Sequence, residues 1–218
     1  MRLYFNLTPN IEPVPFEYQH FLIGAFHKWL GPNEIHDDIS LYSLSWLSGG
    51  KKEKDMLNFP KGAKWFISCW NEALAKKVMS GLLSEPNVCC GMRITDVQMV
   101  GTPKFSEHQR FLTATPVLVK KYDGQGIKHL LFSDSGVDDV LTATLKTKLE
   151  KAGIVNKGIK VFFDRTYEKC KTRLVTIKGI QNRASVCPVM IEGTPEAVAF
   201  AWEVGVGHST GSGFGALC

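Results

Sequence analysis

Three histidines in the N-terminal part of the chain could exchange protons near neutral pH. His20 and His27 lie seven residues apart in a segment with helical periodicity, and His36 follows in the polar stretch NEIHDDISLYS. Seven residues complete nearly two helical turns, so the first two rings share one stripe about 20° apart, with Gly24 between them. Because an unperturbed imidazole has a pKa of about 6.5, these residues suit general acid–base chemistry.

The same three imidazoles could instead hold a zinc ion. Their spacing matches no established zinc signature, and the six cysteines include no C-x-x-C pair. We therefore favour acid–base chemistry and expect neither a metal nor a cofactor. A plainer alternative makes His20 and His27 polar residues of an exposed helix face and His36 an exposed loop residue.

The chain ends in GVGHSTGSGFGALC, with five glycines between positions 205 and 215. Glycine is favoured where the backbone takes positive φ or approaches another group closely, and exposed backbone N–H groups can bind anions. Phe214 and Leu217 argue against a flexible tail. The segment is therefore either an anion-binding loop or a turn that packs beneath a sheet.

The elements that must position these residues follow one order twice. In the first half, alternating Leu3, Phe5 and Leu7 predict a strand, and the apolar stripe of residues 17–30 predicts a helix. The remaining predicted elements of this half are strands at 41–47, 63–69 and 92–100 and a helix at 71–84. The second half has predicted strands near 112–121, 159–166, 173–177 and 186–192, helices at 137–152 and 195–204, and a short last strand containing Phe214 and Leu217.

This repeated βαββαβ order predicts an α+β fold of two tandem ferredoxin-like, RRM-like domains, with the glycine-rich loop before the last strand. We place the first domain at residues 1–104 and the second at 110–218. The boundary falls in the polar stretch 102–109, which contains Pro103.

The charge distribution favours a polyanionic partner. The net charge is +5, but residues 145–185 hold eleven Lys and Arg against three acidic residues, although a solvated face could have the same composition. Hydrophobic content of 44% is typical of a globular protein. No apolar run approaches the ~20 residues of a membrane span, and no signal sequence is evident, so we expect a cytoplasmic protein with reduced thiols.

The terminal segment, together with the element order, resembles the CRISPR repeat-processing endoribonucleases of the RAMP superfamily. Their signature is a G-x-G, a few polar residues and a G-F-G, and it is matched by Gly205, Gly207, Gly213, Phe214 and Gly215. VPFEYQHFLIGAFHKWL at 14–30 is similar to the family's first helix. LYSLSWLSGGKKEKDMLNFPKG at 41–62 and SGLLSEPNVCCGMRITDVQMV at 80–100 are similar to later parts of its first domain, so the resemblance covers nearly the whole chain.

The resemblance implies metal-independent cleavage of CRISPR precursor RNA within its repeats. The ribose 2′-hydroxyl would attack the adjacent phosphate, leaving a 2′,3′-cyclic phosphate and a 5′-hydroxyl. His36 occupies the loop that carries the family's usual catalytic histidine, and His27 a helix position where some members carry a tyrosine. With His20, they are the catalytic candidates.

One departure from the family pattern concerns charge stabilisation. Asp37 and Asp38 stand where several relatives place a lysine. The role would then fall to a lysine of the neighbouring basic turn: Lys51, Lys52 or Lys54.

The resemblance also implies CRISPR repeat RNA as the partner. The predicted RNA contacts are the basic residues of 168–183 and the terminal loop, namely Lys169, Lys171, Arg173, Lys178, Arg183, Gly205, Gly207, His208, Ser209, Gly213, Phe214 and Gly215, with Lys51 and Lys52 from the first domain. Interference-complex proteins and a second copy of the chain are further expected partners, and a membrane is not. The alternative function is a non-catalytic RAMP subunit that binds RNA within an interference complex.

Overall fold

The computed structural model describes residues 1–32 and 39–218, which form antiparallel sheets packed against helices. The helices are Gln19–Leu30 (α1), Glu72–Ser84 (α2), Val137–Lys151 (α3) and Pro195–Val204 (α4). All four were predicted from apolar periodicity to within two residues. Asn71 caps α2 as its residue type predicts, since its side chain accepts a hydrogen bond from the Ala73 amide at 2.7 Å.

The strands are numbered in chain order. Those of the first half are Arg2–Leu7 (β1), Val14–Pro15 (β2), Tyr42–Leu44 (β3), Lys51–Glu53 (β4), Met56–Asn58 (β5), Ala63–Cys69 (β6), Asn87–Cys89 (β7) and Met92–Val100 (β8). Those of the second half are His108–Phe111 (β9), Val119–Tyr122 (β10), Ile127–Leu130 (β11), Lys160–Phe163 (β12), Lys171–Ile177 (β13), Ile180–Val186 (β14) and Val189–Glu192 (β15).

The first half is a five-stranded sheet in the order β3-β6-β1-β8-β7, with α1 and α2 on one face. Alternate β1 residues point to the helices, where Phe5 packs against the rings of Trp29 and Trp65 at 5.9 and 5.4 Å. This strand order is the one that a βαββαβ chain gives in a ferredoxin-like sheet. A small separate sheet, β2-β5-β4, carries the basic turn.

The second half has the sheet order β12-β15-β9, packed against α3 and α4. An isolated bridge between Thr113 and Leu217 stands where a last strand was predicted. The predicted strand 112–121 is wrong as one strand. Pro116 has no backbone N–H to donate, and the chain after it pairs elsewhere, ending in the unpredicted hairpin β10–β11.

The buried guanidinium of Arg2 joins the two halves. It donates to the backbone oxygens of Trp202 at 2.9 Å and Leu217 at 2.8 Å. Its Cζ lies 4.1 Å from the ring centre of Phe66 and 3.7 Å from that of Trp202. The first strand is thereby fixed to α4 and to Leu217, which follows the glycine-rich segment, residues 205–215.

The expectation of reduced thiols is wrong for one pair. Cys170 and Cys187 form a disulfide across the open end of the hairpin β13–β14, with their Cα atoms 4.6 Å apart. Cys69, Cys89, Cys90 and Cys218 are free. The proposed domain limits, 1–104 and 110–218, remain a prediction.

Replacing Arg2 tests the connection between the halves. Arg2→Met keeps most of the apolar volume but leaves two buried carbonyl oxygens without their donor, so we expect a loss of about 3 kcal/mol in the free energy of unfolding. Urea denaturation measures it. Arg93→Met, at an exposed position of β8, is the control and should change stability by less than about 0.5 kcal/mol. Equal stabilities of the two variants would contradict the role of Arg2.

Candidate functional site

A groove of about 800 Å³ lies between α3 and the glycine-rich segment. One wall is the α3 face around Val140, Thr144 and Thr147, and the other carries His208 and Ser209. The rim is completed by Ser212 and by Ile39 and Ser40, the first residues described after the gap. The predicted catalytic residue His36 is outside the described residues.

Close backbone contacts explain why the segment 205–215 is rich in glycine. Val206 N–H donates to the Gly215 oxygen at 2.9 Å, and Gly215 N–H donates to that of Pro116 at 2.9 Å. Gly207 has a φ of +73°, and a Cβ there would lie 2.6 Å from the Leu118 oxygen. Any other residue type would be strained and would clash at this position.

The glycine-rich segment also packs onto the first half. A Cβ at Gly211 would lie 2.5 Å from Ser40 Oγ and 2.7 Å from Tyr42 Oη. Trp46 Nε1 donates to the Gly213 oxygen at 2.7 Å, and Thr210 Oγ1 donates to the Tyr42 oxygen at 3.0 Å. The glycines are largely buried, and the side chains of His208, Ser209 and Ser212 are partly exposed at the groove.

The backbone amides of the segment fall into two groups, those that donate to carbonyl oxygens and those that do not. The amides of Gly205, Val206, His208 and Gly215 all donate to carbonyl oxygens of the protein. Within the described chain, the amides of residues 209–211 donate to no such oxygen. They precede and open the 3-10 turn Thr210–Ser212, and their N–H groups are candidate donors for an anion bound at the groove.

Lys148 of α3 holds this turn from below. Its side chain is buried, and Nζ donates to the oxygens of Val204 at 3.2 Å and Gly205 at 3.5 Å and to Thr210 Oγ1 at 3.0 Å. Three acceptors match the three donors of an ammonium group. Burial nevertheless lowers the pKa of Lys148 to about 7, because a charged form is costly away from water.

His208 faces the groove as a neutral ring near pH 7. Its Nδ1 accepts a hydrogen bond from the Lys120 amide at 3.2 Å, which leaves the proton on Nε2. Burial, followed by the nearby charges of Lys120 and Lys148, lowers the pKa of His208. The ring can thus donate a hydrogen bond from Nε2 but resists taking up a second proton.

The helix α1, which carries the candidates His20 and His27, packs against the glycine-rich segment. It contacts the 3-10 turn, and Phe26 packs on Tyr42 with ring centres 4.7 Å apart. His27 is partly buried, with its ring edge-on to Phe26 at 5.3 Å. His20 lies two turns earlier, about 10 Å along the axis, with Nδ1 2.6 Å from the Glu17 oxygen.

The predicted basic contacts lie in two separate places. The basic hairpin, residues 171–186, carries Lys171 and Arg173 on one face and Arg183 on the other, with Lys178 in its turn and Lys169 just before it. Arg173 lies over the ring of Trp46 at 4.8 Å, so it already bridges the two halves. Lys51 and Lys52 are exposed on β4 of the small sheet, with Lys52 over the Phe16 ring at 5.6 Å.

Residues 100–218 match the family model described as CRISPR associated protein Cas6, C-terminal. The chain belongs to the Cas6 family. No curated protein matches it in sequence.

Solved structures share the fold of this Cas6-family chain over its full length. A Cas6-related protein from Pyrococcus furiosus has a TM-score of 0.86 and 20% sequence identity, covering 100% of this chain and 97% of the other. A RAMP protein binding different RNA substrates has a TM-score of 0.82 and 20% identity, covering 100% and 98%. A Cas6 product complex has a TM-score of 0.69 and 16% identity, covering 100% and 99%. The predicted tandem ferredoxin-like fold is confirmed.

Sequence reasoning missed two lysines of the site in this Cas6-family protein: Lys148, which lines the groove, and Lys120, which contacts His208 and Ser209. Lys148 falls on the apolar stripe of α3, three residues after Leu145 and seven after Leu141, and a lysine there signals a buried role. Lys120 gave no signal, because its contacts to His208 and Ser209 join residues nearly ninety positions apart.

In the described part of the chain, no helix is long and apolar enough to cross a membrane. Residues 1–32 and 39–218 likewise contain no group of three or more His, Cys, Asp or Glu side chains placed to hold a metal ion.

The lowered pKa of Lys148 predicts a specific pH dependence of stability. The folded pKa is below the unfolded value, so between about pH 7 and pH 10 the unfolded chain binds the extra proton and stability rises with pH, by up to about 1.4 kcal/mol per pH unit. Urea denaturation across this range should show the wild-type free energy of unfolding rising more steeply than that of Lys148→Met. Lys146→Met, at an exposed position of the same helix, should follow the wild type. Parallel curves for wild type and Lys148→Met would contradict the assignment.

Proposed function

We propose that this Cas6-family chain is a metal-independent endoribonuclease that cleaves CRISPR precursor RNA within its repeats. The observation that carries the proposal is the groove, whose lining includes the neutral ring of His208, the glycine-rich segment with amides that donate to no described carbonyl oxygen, and Ile39 and Ser40. Catalysis of this kind needs proton transfer and stabilisation of a negatively charged phosphate at one point.

The proposed reaction is attack of the ribose 2′-hydroxyl oxygen on the adjacent phosphorus. A base removes the 2′ proton, the bond to the 5′-oxygen breaks, and an acid gives that oxygen a proton, leaving a 2′,3′-cyclic phosphate and a 5′-hydroxyl. His36 and His27 are the proposed acid–base pair, with His20 as a further catalytic candidate on the same helix. The amides of residues 209–211 and Nε2 of His208 would donate to the non-bridging phosphate oxygens.

Binding of the repeat RNA is assigned to two basic surfaces, the basic hairpin and β4. The basic hairpin supplies Lys171, Arg183 and Lys178, whose positive charge should make affinity depend on salt. Lys169 and Arg173 of the same region are further proposed contacts. Lys51 and Lys52 are the proposed contacts on β4. The remaining proposed contacts belong to the glycine-rich segment. Its shape depends on Gly205, Gly207, Gly213, Phe214 and Gly215, and Ser209 lines the groove.

Incubation of labelled repeat RNA with the protein in EDTA tests the proposal. We expect cleavage without divalent metal ions and products that end in a cyclic phosphate. His36→Ala should slow single-turnover cleavage about a hundred-fold or more with little change in affinity, because general acid–base groups contribute on that scale. His27→Ala should also slow it.

Two controls make the assay specific. His108→Ala removes a histidine that is exposed on β9 and should cleave at the wild-type rate. Lys171→Ala should weaken binding and leave the rate of bound RNA nearly unchanged. Equal rates for His36→Ala and wild type would remove His36 from the mechanism.

A second function remains open from the sequence, a non-catalytic RAMP subunit that binds RNA in an interference complex. Asp37 and Asp38 in place of the family lysine favour it, and the one lysine that lines the groove, Lys148, is engaged with the protein's own oxygens. RNA that is bound but stays intact in the cleavage assay would establish this alternative and overturn the enzyme proposal.

A further inference from the structure

The hairpin β10–β11, residues 119–130, projects beside the groove and is here called the arm. Its strands pair Lys120 with His129, Lys121 with Lys128, and Tyr122 with Ile127. Directly paired residues of an antiparallel ribbon share a face, and alternate pairs face opposite sides. Lys120, His129, Tyr122 and Ile127 therefore share one face of the arm.

The base of that face is fixed to the functional site. Lys120 donates from its amide to His208 and from Nζ to Ser209 Oγ at 3.4 Å. His129 Nδ1 accepts a hydrogen bond from the Arg183 amide of the basic hairpin at 3.3 Å. The base of the arm is thus held between the glycine-rich segment and the basic hairpin, and its outer part extends beyond these contacts.

The outer part of the same face is apolar and open. Tyr122 is 72% exposed and Ile127 66% exposed, and they lie side by side about 7 Å beyond Lys120 and His129. The Tyr122 hydroxyl donates to the Gly124 oxygen at 3.4 Å, within its own turn. The ring face, rather than the hydroxyl, is what Tyr122 offers to a ligand.

Two lysines lie next to this apolar pair along the ribbon. Lys121 and Lys128 are exposed on the opposite face of the ribbon, well within the screening length of about 10 Å at 0.1 M salt. The one acid of the arm, Asp123, accepts the amides of Gln125 and Gly126, and these hydrogen bonds lower its pKa. An exposed aromatic ring with flanking lysines suits an unpaired nucleotide, whose base can stack and whose phosphates are anionic.

We propose that the arm is a second RNA-binding element, in which Tyr122 stacks on an unpaired base of the RNA and Lys121 and Lys128 attract the flanking phosphates. The inference rests on the proposed function, since it requires that the groove bind RNA. It adds a contact outside the basic residues of 168–183 and assigns it to a single-stranded nucleotide next to the groove.

Binding of labelled repeat RNA to the full chain, followed by fluorescence anisotropy, tests the stacking. Tyr122→Ala should raise Kd about ten-fold, within the range seen when a base-stacking aromatic is removed. Tyr122→Phe keeps the ring and should bind within two-fold of wild type. Circular dichroism of the variants checks that the arm substitutions leave the fold intact.

Salt dependence tests the lysines. Lys121→Gln with Lys128→Gln should reduce the slope of log K against log salt by about 1.4, or 0.7 for each lost contact to single-stranded RNA. Lys76→Gln with Lys77→Gln removes the same charge from exposed positions of α2 and should keep the wild-type slope.

These experiments distinguish failure of the arm proposal from failure of the proposed function. If wild type binds and cuts the RNA while the Tyr122→Ala and double-lysine variants bind as well as wild type, the arm proposal is overturned and the proposed function stands. A partner other than RNA would then be sought for the arm. If wild type does not bind repeat RNA at all, both proposals fall.

Discussion

The packing of the glycine-rich segment between the two halves is the constraint on which the rest of the site depends. Gly207 and Gly211 lie where a side chain would strike Leu118 or Tyr42, so the backbone itself fills the junction. Lys148 holds Thr210 from one half, and Thr210 in turn donates to Tyr42 of the other. Hydrogen bonds therefore connect the 3-10 turn Thr210–Ser212 to α3, α4 and β3. These contacts fix the shape of the groove beside the turn.

This arrangement separates two kinds of work that an RNA site must do. The groove offers hydrogen-bond donors, namely backbone amides and the neutral imidazole of His208. Its buried lysine, Lys148, already donates to oxygens of the protein itself. Exposed lysine and arginine side chains lie instead on the projecting hairpins, where their charge stays solvated. Under the proposed function, the hairpins would supply electrostatic attraction for RNA, and the groove would select one phosphate by its geometry.

The sequence was most informative where an element is apolar and buried along most of its length. Strand β6 and helix α4 have the predicted bounds, and most residues of both are buried. The arm was missed because its outer residues, Tyr122 and Ile127, are exposed and follow no burial pattern. The contact of Thr210 with Tyr42 joins residues 168 apart and could not be read from either segment alone. The roles of His20, His27 and His36 stay predictions, and His36 lies outside the described residues.

The most direct measurement of the central claim is a crystal structure of the protein with repeat RNA carrying a single 2′-deoxyribose at the cleaved nucleotide, as mapped by the cleavage assay, which removes the attacking hydroxyl. The account predicts one phosphate of the RNA in the groove, within hydrogen-bonding distance of the amides of residues 209–211 and of His208 Nε2. A complex in which the RNA is bound in register but leaves that groove filled only by solvent would contradict it.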